Sequence, residues 1–172
     1  MQQKHYLVPD QSQGFEKNIE HSTLLSTTED AEDGFVGAKE RLLDVSNWNK
    51  YVVPAVRLQL TDLRKKALHR KAHKGDCINI EVESTWHWVL VEAIEYDDYP
   101  DEGRETFAVR LRPITAAMDT MEGNDPINAT ATIVIDRTCK KLTASYHGRN
   151  EAMTWIGLSD EQWGSLVKGL IG

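Results

Sequence analysis

The chain of 172 residues carries 20 Lys or Arg against 27 Asp or Glu, a formal net charge of −7, with 40% hydrophobic and 27% charged residues. That balance fits one globular core and excludes a general polyanion binder, which needs an excess of cations to neutralise phosphates. Cys77 and Cys139 lie far apart with no CxxC pair, no segment reads as a signal peptide, and no stretch approaches the apolar length of a membrane span. A cytoplasmic setting is expected.

Residues 1–15 have weak periodicity and are expected to form a flexible N-terminal arm ahead of a single domain, 16–172. "NIEHSTLLST" (18–27) reads as a strand. Thr27 or Thr28 then caps a helix whose first turns carry four carboxylates, favoured by the helix dipole. Phe35, Ala38, Leu42 and Val45 step by three, four and three residues along one helical face, and Asn47 is expected to end the helix. Gly34 and Gly37 weaken it intrinsically, so close approach to a sheet is the expected compensation.

Six segments beyond the helix read as strands: "AVRLQLT" (55–61), "DCINIEVES" (76–84), "WHWVLVEAIEY" (86–96), "ETFAVRLRPI" (105–114), and a hairpin of "INATATIVIDRT" (127–138) and "KKLTASYHG" (140–148). The third of these is apolar on both faces and should lie inside the sheet. Ser159 and Gln162 form a capping box, and Trp163, Leu166, Val167, Leu170 and Ile171 make one apolar helical stripe. Strand, helix, antiparallel meander and amphipathic helix define an α+β domain.

This order, together with "AKERLLDVSNWNKYV" (38–52) and its Leu42 or Leu43, Asp44, Trp48 and Tyr51, resembles the START-like (SRPBCC) superfamily. That group shares the helix-grip fold and includes polyketide cyclases, lipid-transfer domains and the birch-pollen allergen (Bet v 1-like) proteins. The resemblance implies a curved antiparallel sheet wrapped around a C-terminal helix, with an internal cavity for a small apolar or amphipathic ligand, lipid- or polyketide-like. The stripe covers only about three turns, shorter than the usual gripping helix. The helix either begins earlier, near Asn150 with Gly157 as a kink, or leaves a cavity that is small, open or closed by a partner subunit, as in a homodimer.

The residues that could carry chemistry lie mostly in "HGRNE" (147–151) and on the strand 86–96. His147 could act as a base, with Arg149 holding a carboxylate or enolate in its fork. The plainer reading, which the residues favour, has Gly148 turning, Asn150 capping, and Arg149 and Glu151 facing solvent. Glu92 is either a desolvated acid or a cross-strand partner of Arg110 or Arg112. Candidate catalytic residues are therefore His147, Arg149, Glu92 and Tyr146. Candidate ligand contacts are Trp48, Trp86, Trp88, Arg110, Tyr146 and Arg149.

The basic run "LRKKALHRKAHKGD" (63–76) lacks interleaved aromatics and reads as a solvated loop rather than a nucleic-acid site. His69 and His73 stand four apart without an HExxH context, so no metal is expected, and no nucleotide or dinucleotide motif implies a cofactor. Ligand binding is the leading expectation. A cyclase- or dehydratase-like enzyme and a non-catalytic interaction module are the alternatives.

Overall fold

The computed structural model describes residues 5–114, 129–151 and 158–172. Seven strands, β1 (Phe15–Leu24), β2 (Arg57–Thr61), β3 (Cys77–Val82), β4 (Thr85–Tyr99), β5 (Arg104–Ile114), β6 (Thr130–Thr138) and β7 (Lys141–Glu151), pair antiparallel in the order β1-β7-β6-β5-β4-β3-β2. Helix α1 (Thr28–Leu43) and a 3₁₀ turn (Val45–Lys50) carry the chain from one sheet edge to the other, and α2 (Asp160–Leu170) closes it. First strand beside last, both helices on one face, and an unclosed sheet are the helix-grip arrangement. No helix among the described residues is long and apolar enough to cross a membrane.

The helix ends follow from named side chains. Thr27 Oγ1 accepts from the Asp30 amide at 3.0 Å and starts α1. The helix stops at Leu43, earlier than the expected Asn47. Asn47 instead donates from its side chain to Asp44 at 2.8 Å within the 3₁₀ turn. That turn swings Trp48 inward, where its indole Nε1 donates to the Leu42 carbonyl at 3.1 Å, an orphan acceptor of the last helical turn. The close approach expected of the helix holds at Gly34, where a Cβ would lie 3.1 Å from Leu142 Cδ2. Gly37 faces only Arg41 of its own helix.

The inner sheet face is apolar across its width. Ile78, Ile80, Val89, Val91, Leu111 and Ile133 are all fully buried, and Phe35, Leu42 and Trp48 join them from the helical side. Helix α2 has the expected capping box, with Ser159 Oγ accepting from Gln162 N at 3.1 Å and Gln162 Oε1 from Ser159 N at 2.8 Å. Its Trp163, Leu166, Val167 and Leu170 are buried against β1 and β7. Arg41, in the last turn of α1, donates to the Leu170 carbonyl at 2.7 Å and joins the two helices. An earlier helix start near Asn150 does not hold, because Asn150 and Glu151 complete β7; Gly157 lies outside the described residues.

On the opposite face lies the described part of the arm, residues 5–14. Leu7 forms a second small apolar cluster with Ala93, Ala108 and Val134. Its carbonyl accepts from Arg110 and from Thr132, each at 3.3 Å.

Leu166 is the measure of how firmly α2 is docked. Leu166→Ala should lower stability by about 2–5 kcal/mol in urea unfolding, and Leu166→Asp should yield no folded protein. An unchanged urea midpoint for the alanine variant would show that α2 contributes nothing to the core.

Candidate functional site

Strand β7 runs on through residues 147–151, further than the period-two pattern alone indicated, and distributes them over both sheet faces. Tyr146 points inward, is fully buried, and stacks on Trp163 of α2 with ring centroids 4.1 Å apart and planes 17° from parallel. Gly148 shares its face and leaves open the space that Glu151 fills. A Cβ there would stand 2.6 Å from Glu151 Cδ and 2.9 Å from the Tyr146 hydroxyl. Glu151 is thereby folded back over the strand, 2% exposed, and accepts a hydrogen bond from the Tyr146 hydroxyl.

Lys17 of β1 completes this set. Its Nζ lies 3.5 Å from Glu151 Oε1 and 2.9 Å from Asp160 Oδ1, in the first turn of α2. Burial, reinforced by the charge and hydrogen bond of Glu151, raises the Tyr146 pKa well above its ordinary value. For Lys17 burial works downward, but the Asp160 hydrogen bond and the Glu151 charge outweigh it and raise its pKa. At neutral pH the set therefore holds a protonated phenol and an ammonium on either side of the buried Glu151 side chain.

The alternate residues face outward. His147 bridges Ser145 Oγ and Asn18 Oδ1, each at 2.9 Å. Arg149 is buried and donates to the Lys17 carbonyl (3.0 Å), the Gly148 carbonyl (2.9 Å) and Asn18 Oδ1 (2.8 Å), so its fork fastens β1 to β7. Between these residues and the arm lies a polar cleft of about 240 Å³ whose walls include His5, Glu20, Arg104 and Asp136. Asn150, at φ +56°, points its side chain at the arm and accepts from the amides of Ser12 (2.7 Å) and Gln13 (3.1 Å). Its own amide donates to Gln11 Oε1 at 2.8 Å.

The other candidates lie elsewhere. Trp48 is buried in the core. Trp86 and Trp88 lie on the outer face of β4, in a cleft with Gln59 and Asn79. A β-bulge between Val91 and Ala93 breaks the parity that would have put Ile94 beside them, and Ile94 packs on the inner core instead. Glu92, at the bulge, pairs with Arg110 at 2.6 Å and with Arg112. Burial works to raise the Glu92 pKa, but the hydrogen bonds and charges of Arg112 and Arg110 win and hold it low.

Tyr146, His147, Arg149 and Glu92 thus do not meet in one pocket. Sequence reasoning missed Lys17, Asp160 and the inward turn of Glu151. Only Glu151 had a signal, its place three residues after a strand glycine.

Neither a family model nor a curated protein matches the sequence. Among solved structures, major latex-like protein 151 from Panax ginseng is 11% identical, with a TM-score of 0.39 over 91% of this chain and 93% of that one. A truncated norcoclaurine synthase from Thalictrum flavum is 10% identical, with a TM-score of 0.41 over 95% and 96%. Ara h 8.0201 is 10% identical, with a TM-score of 0.36 over 91% and 93%. These likenesses carry nothing about ligand or reaction, and the helix-grip arrangement stands on the strand order and helix placement above.

Two consequences are measurable. Gly148→Ala should displace the Glu151 carboxylate and lower the thermal midpoint, whereas Gly148→Ala with Glu151→Ala should recover part of that loss. Equal losses in the single and double variants would show that the two do not share this space.

The second concerns His5. Its Nδ1 accepts from the Leu7 amide at 3.0 Å, so the neutral ring carries its proton on Nε2, 3.8 Å from Asp97. Burial lowers the His5 pKa, aided by Arg104 and opposed by Asp97, Asp136 and Glu95. A lowered histidine pKa means that docking favours the neutral form. That contribution is present above the unfolded value of about 6.5 and is lost as pH falls through the folded one. Amide protection at Leu7 and Val8 should therefore weaken between pH 7 and pH 5, with equal protection at both counting against it.

Proposed function

We propose that the protein binds a small, largely apolar or amphipathic molecule between the inner face of the sheet and α2, with the ligand's polar end at Tyr146, Glu151 and Lys17. The observation that carries this reading is the buried pair of Glu151 and Tyr146, reached by the half-buried ammonium of Lys17, at one end of an otherwise apolar interior. An ionisable group is costly in such surroundings unless compensated, and buried sets of this kind concentrate at functional sites. Trp163 and Tyr146 provide an aromatic wall beside it.

The chemistry favours a ligand that offers one hydroxyl, amine or amide to the carboxylate and an apolar body to the core. A second reading, an enzyme of cyclase or dehydratase type, is supported by the hydrogen bond between Tyr146 and Glu151, which pairs a proton donor with an acceptor at one point. Two of the six cations of the basic loop are engaged within the fold, Arg70 on Asp76 at 2.7 Å and Lys71 on Glu40. This weakens the interaction-module alternative.

Native mass spectrometry of the purified chain, followed by displacement of 1-anilinonaphthalene-8-sulfonate with long-chain alcohols and amines, tests the reading. Glu151→Gln keeps the shape and removes the charge. It should weaken binding of ligands with a polar head by about 1.5–3 kcal/mol, the range for hydrogen bonds to charged groups. A variant that loses thermal stability but binds every probe as the wild type does would make Glu151 a purely structural residue and sink the proposal.

A further inference from the structure

A second cleft, on the outer face of the sheet, is independent of the inner-face set. It is about 470 Å³ in volume and is built on two register rows. Gln59, Asn79 and Trp88 stand side by side across β2, β3 and β4, and Arg57, Glu81 and Trp86 form the next row. Four observations mark it as built for a ligand. First, Trp86 is 53% exposed on a strand whose Val89 and Val91 are fully buried on the other face. A large indole left in water beside a second one is an unusual surface.

Second, Asn79 is 9% exposed, and its Oδ1 is buried without a hydrogen-bond partner. A buried acceptor left unmade is destabilising, and its retention on the wall of a cleft points to a donor that arrives with a ligand. Third, the charged side chains lining the cleft are cations, Lys65 and Arg57; Glu81, between Arg57 and Trp86 in the register, lies outside the lining and reaches Arg57 at 3.4 Å, so Lys65 is the cation without a carboxylate beside it there and Arg57 would share its charge between Glu81 and a bound anion.

Fourth, Lys65 is positioned rather than loose. Asp62 Oδ1 accepts from the amides of Arg64 (2.8 Å) and Lys66 (2.9 Å), which fixes the turn with Lys65 at φ +68°. Its Nζ then sits 5.2 Å from the centre of the Trp88 ring.

We propose that this cleft binds a planar, anionic heteroaromatic small molecule of the size and chemistry of a nucleoside monophosphate. The ring stacks on Trp86, an amino or ring N–H group donates to Asn79 Oδ1, and the anionic group lies between Lys65 and Arg57. The volume is within the usual range for small-ligand sites. The division of labour comes from the residues: every heteroaromatic ring has a face for an indole, and only an anion gains from both cations.

The test is a titration of the full chain with AMP, followed by the indole and side-chain amide signals in proton–nitrogen NMR, with adenosine as the uncharged control. Saturable shifts should be confined to Trp86, Trp88 and Asn79. Adenosine should bind at least tenfold more weakly, and AMP binding should weaken as salt rises. Trp86→Ala, an exposed position, should fold normally and lose AMP affinity at least tenfold. Asn79→Leu should lose it similarly with a thermal midpoint equal to or above wild type, whereas an asparagine needed only for structure would lower that midpoint. Absence of shifts at millimolar AMP, equal affinity for adenosine, or unchanged binding by Trp86→Ala would overturn the assignment. So would a single-stranded oligonucleotide that binds far more tightly than AMP, since the occupant would then be a nucleic-acid chain.

Discussion

The inner face of this protein is organised around a carboxylate that has been taken out of water. Glu151 reaches its buried position only because Gly148, three residues earlier on the same strand, has no side chain. Once there it needs partners, because an isolated buried charge costs far more than a fold of this size has to spare. The Tyr146 hydroxyl supplies one and Lys17 the other. Each brings a further element with it. Tyr146 stacks on Trp163 of α2, and Lys17 reaches on to Asp160 at the start of the same helix. The docking of an 11-residue helix, too short to be stable alone, thus rests on the same residues that compensate the charge.

Much of the architecture was legible because it is written in periodicity. The alternation of Ile78, Ile80 and Val82, the stripe from Trp163 to Leu170 and the Ser159–Gln162 box each state a local structure with a single packing solution. The order of these elements then selects the helix-grip topology. Boundaries failed where a side chain from outside the element decides them. The end of α1 moved from Asn47 to Leu43 because Trp48 turns back to the Leu42 carbonyl, a contact across six residues that no propensity encodes.

The site was less legible, for a different reason. Parity along a strand predicts a face only while the strand stays regular. The bulge at Glu92 transfers Ile94 to the core and leaves Trp86 and Trp88 outside, so a single apolar run serves both faces in turn. At the end of β7 the register shifts between Phe15 and Lys17 of the partner strand. There Arg149 faces out while Glu151 returns inward. Reading Glu151 as solvent-facing was reasonable from composition. Its burial is made tolerable by the Tyr146 hydroxyl and by Lys17, which lies 134 positions earlier in the chain and is brought alongside by the first-to-last strand pairing.

That pairing also explains why three consecutive residues hold three separate parts of the molecule. Arg149 fastens β1 through the Lys17 carbonyl and Asn18, Asn150 receives the amides of Ser12 and Gln13 from the arm, and Glu151 draws in Lys17 and, through it, α2. A strand can direct successive side chains to opposite faces, so a short run at its end serves both. Asn150 in the left-handed region makes the turn that lets its neighbours diverge, a conformation Asn tolerates better than most residues. The inner set and the outer arm are consequently tied to the same few backbone atoms.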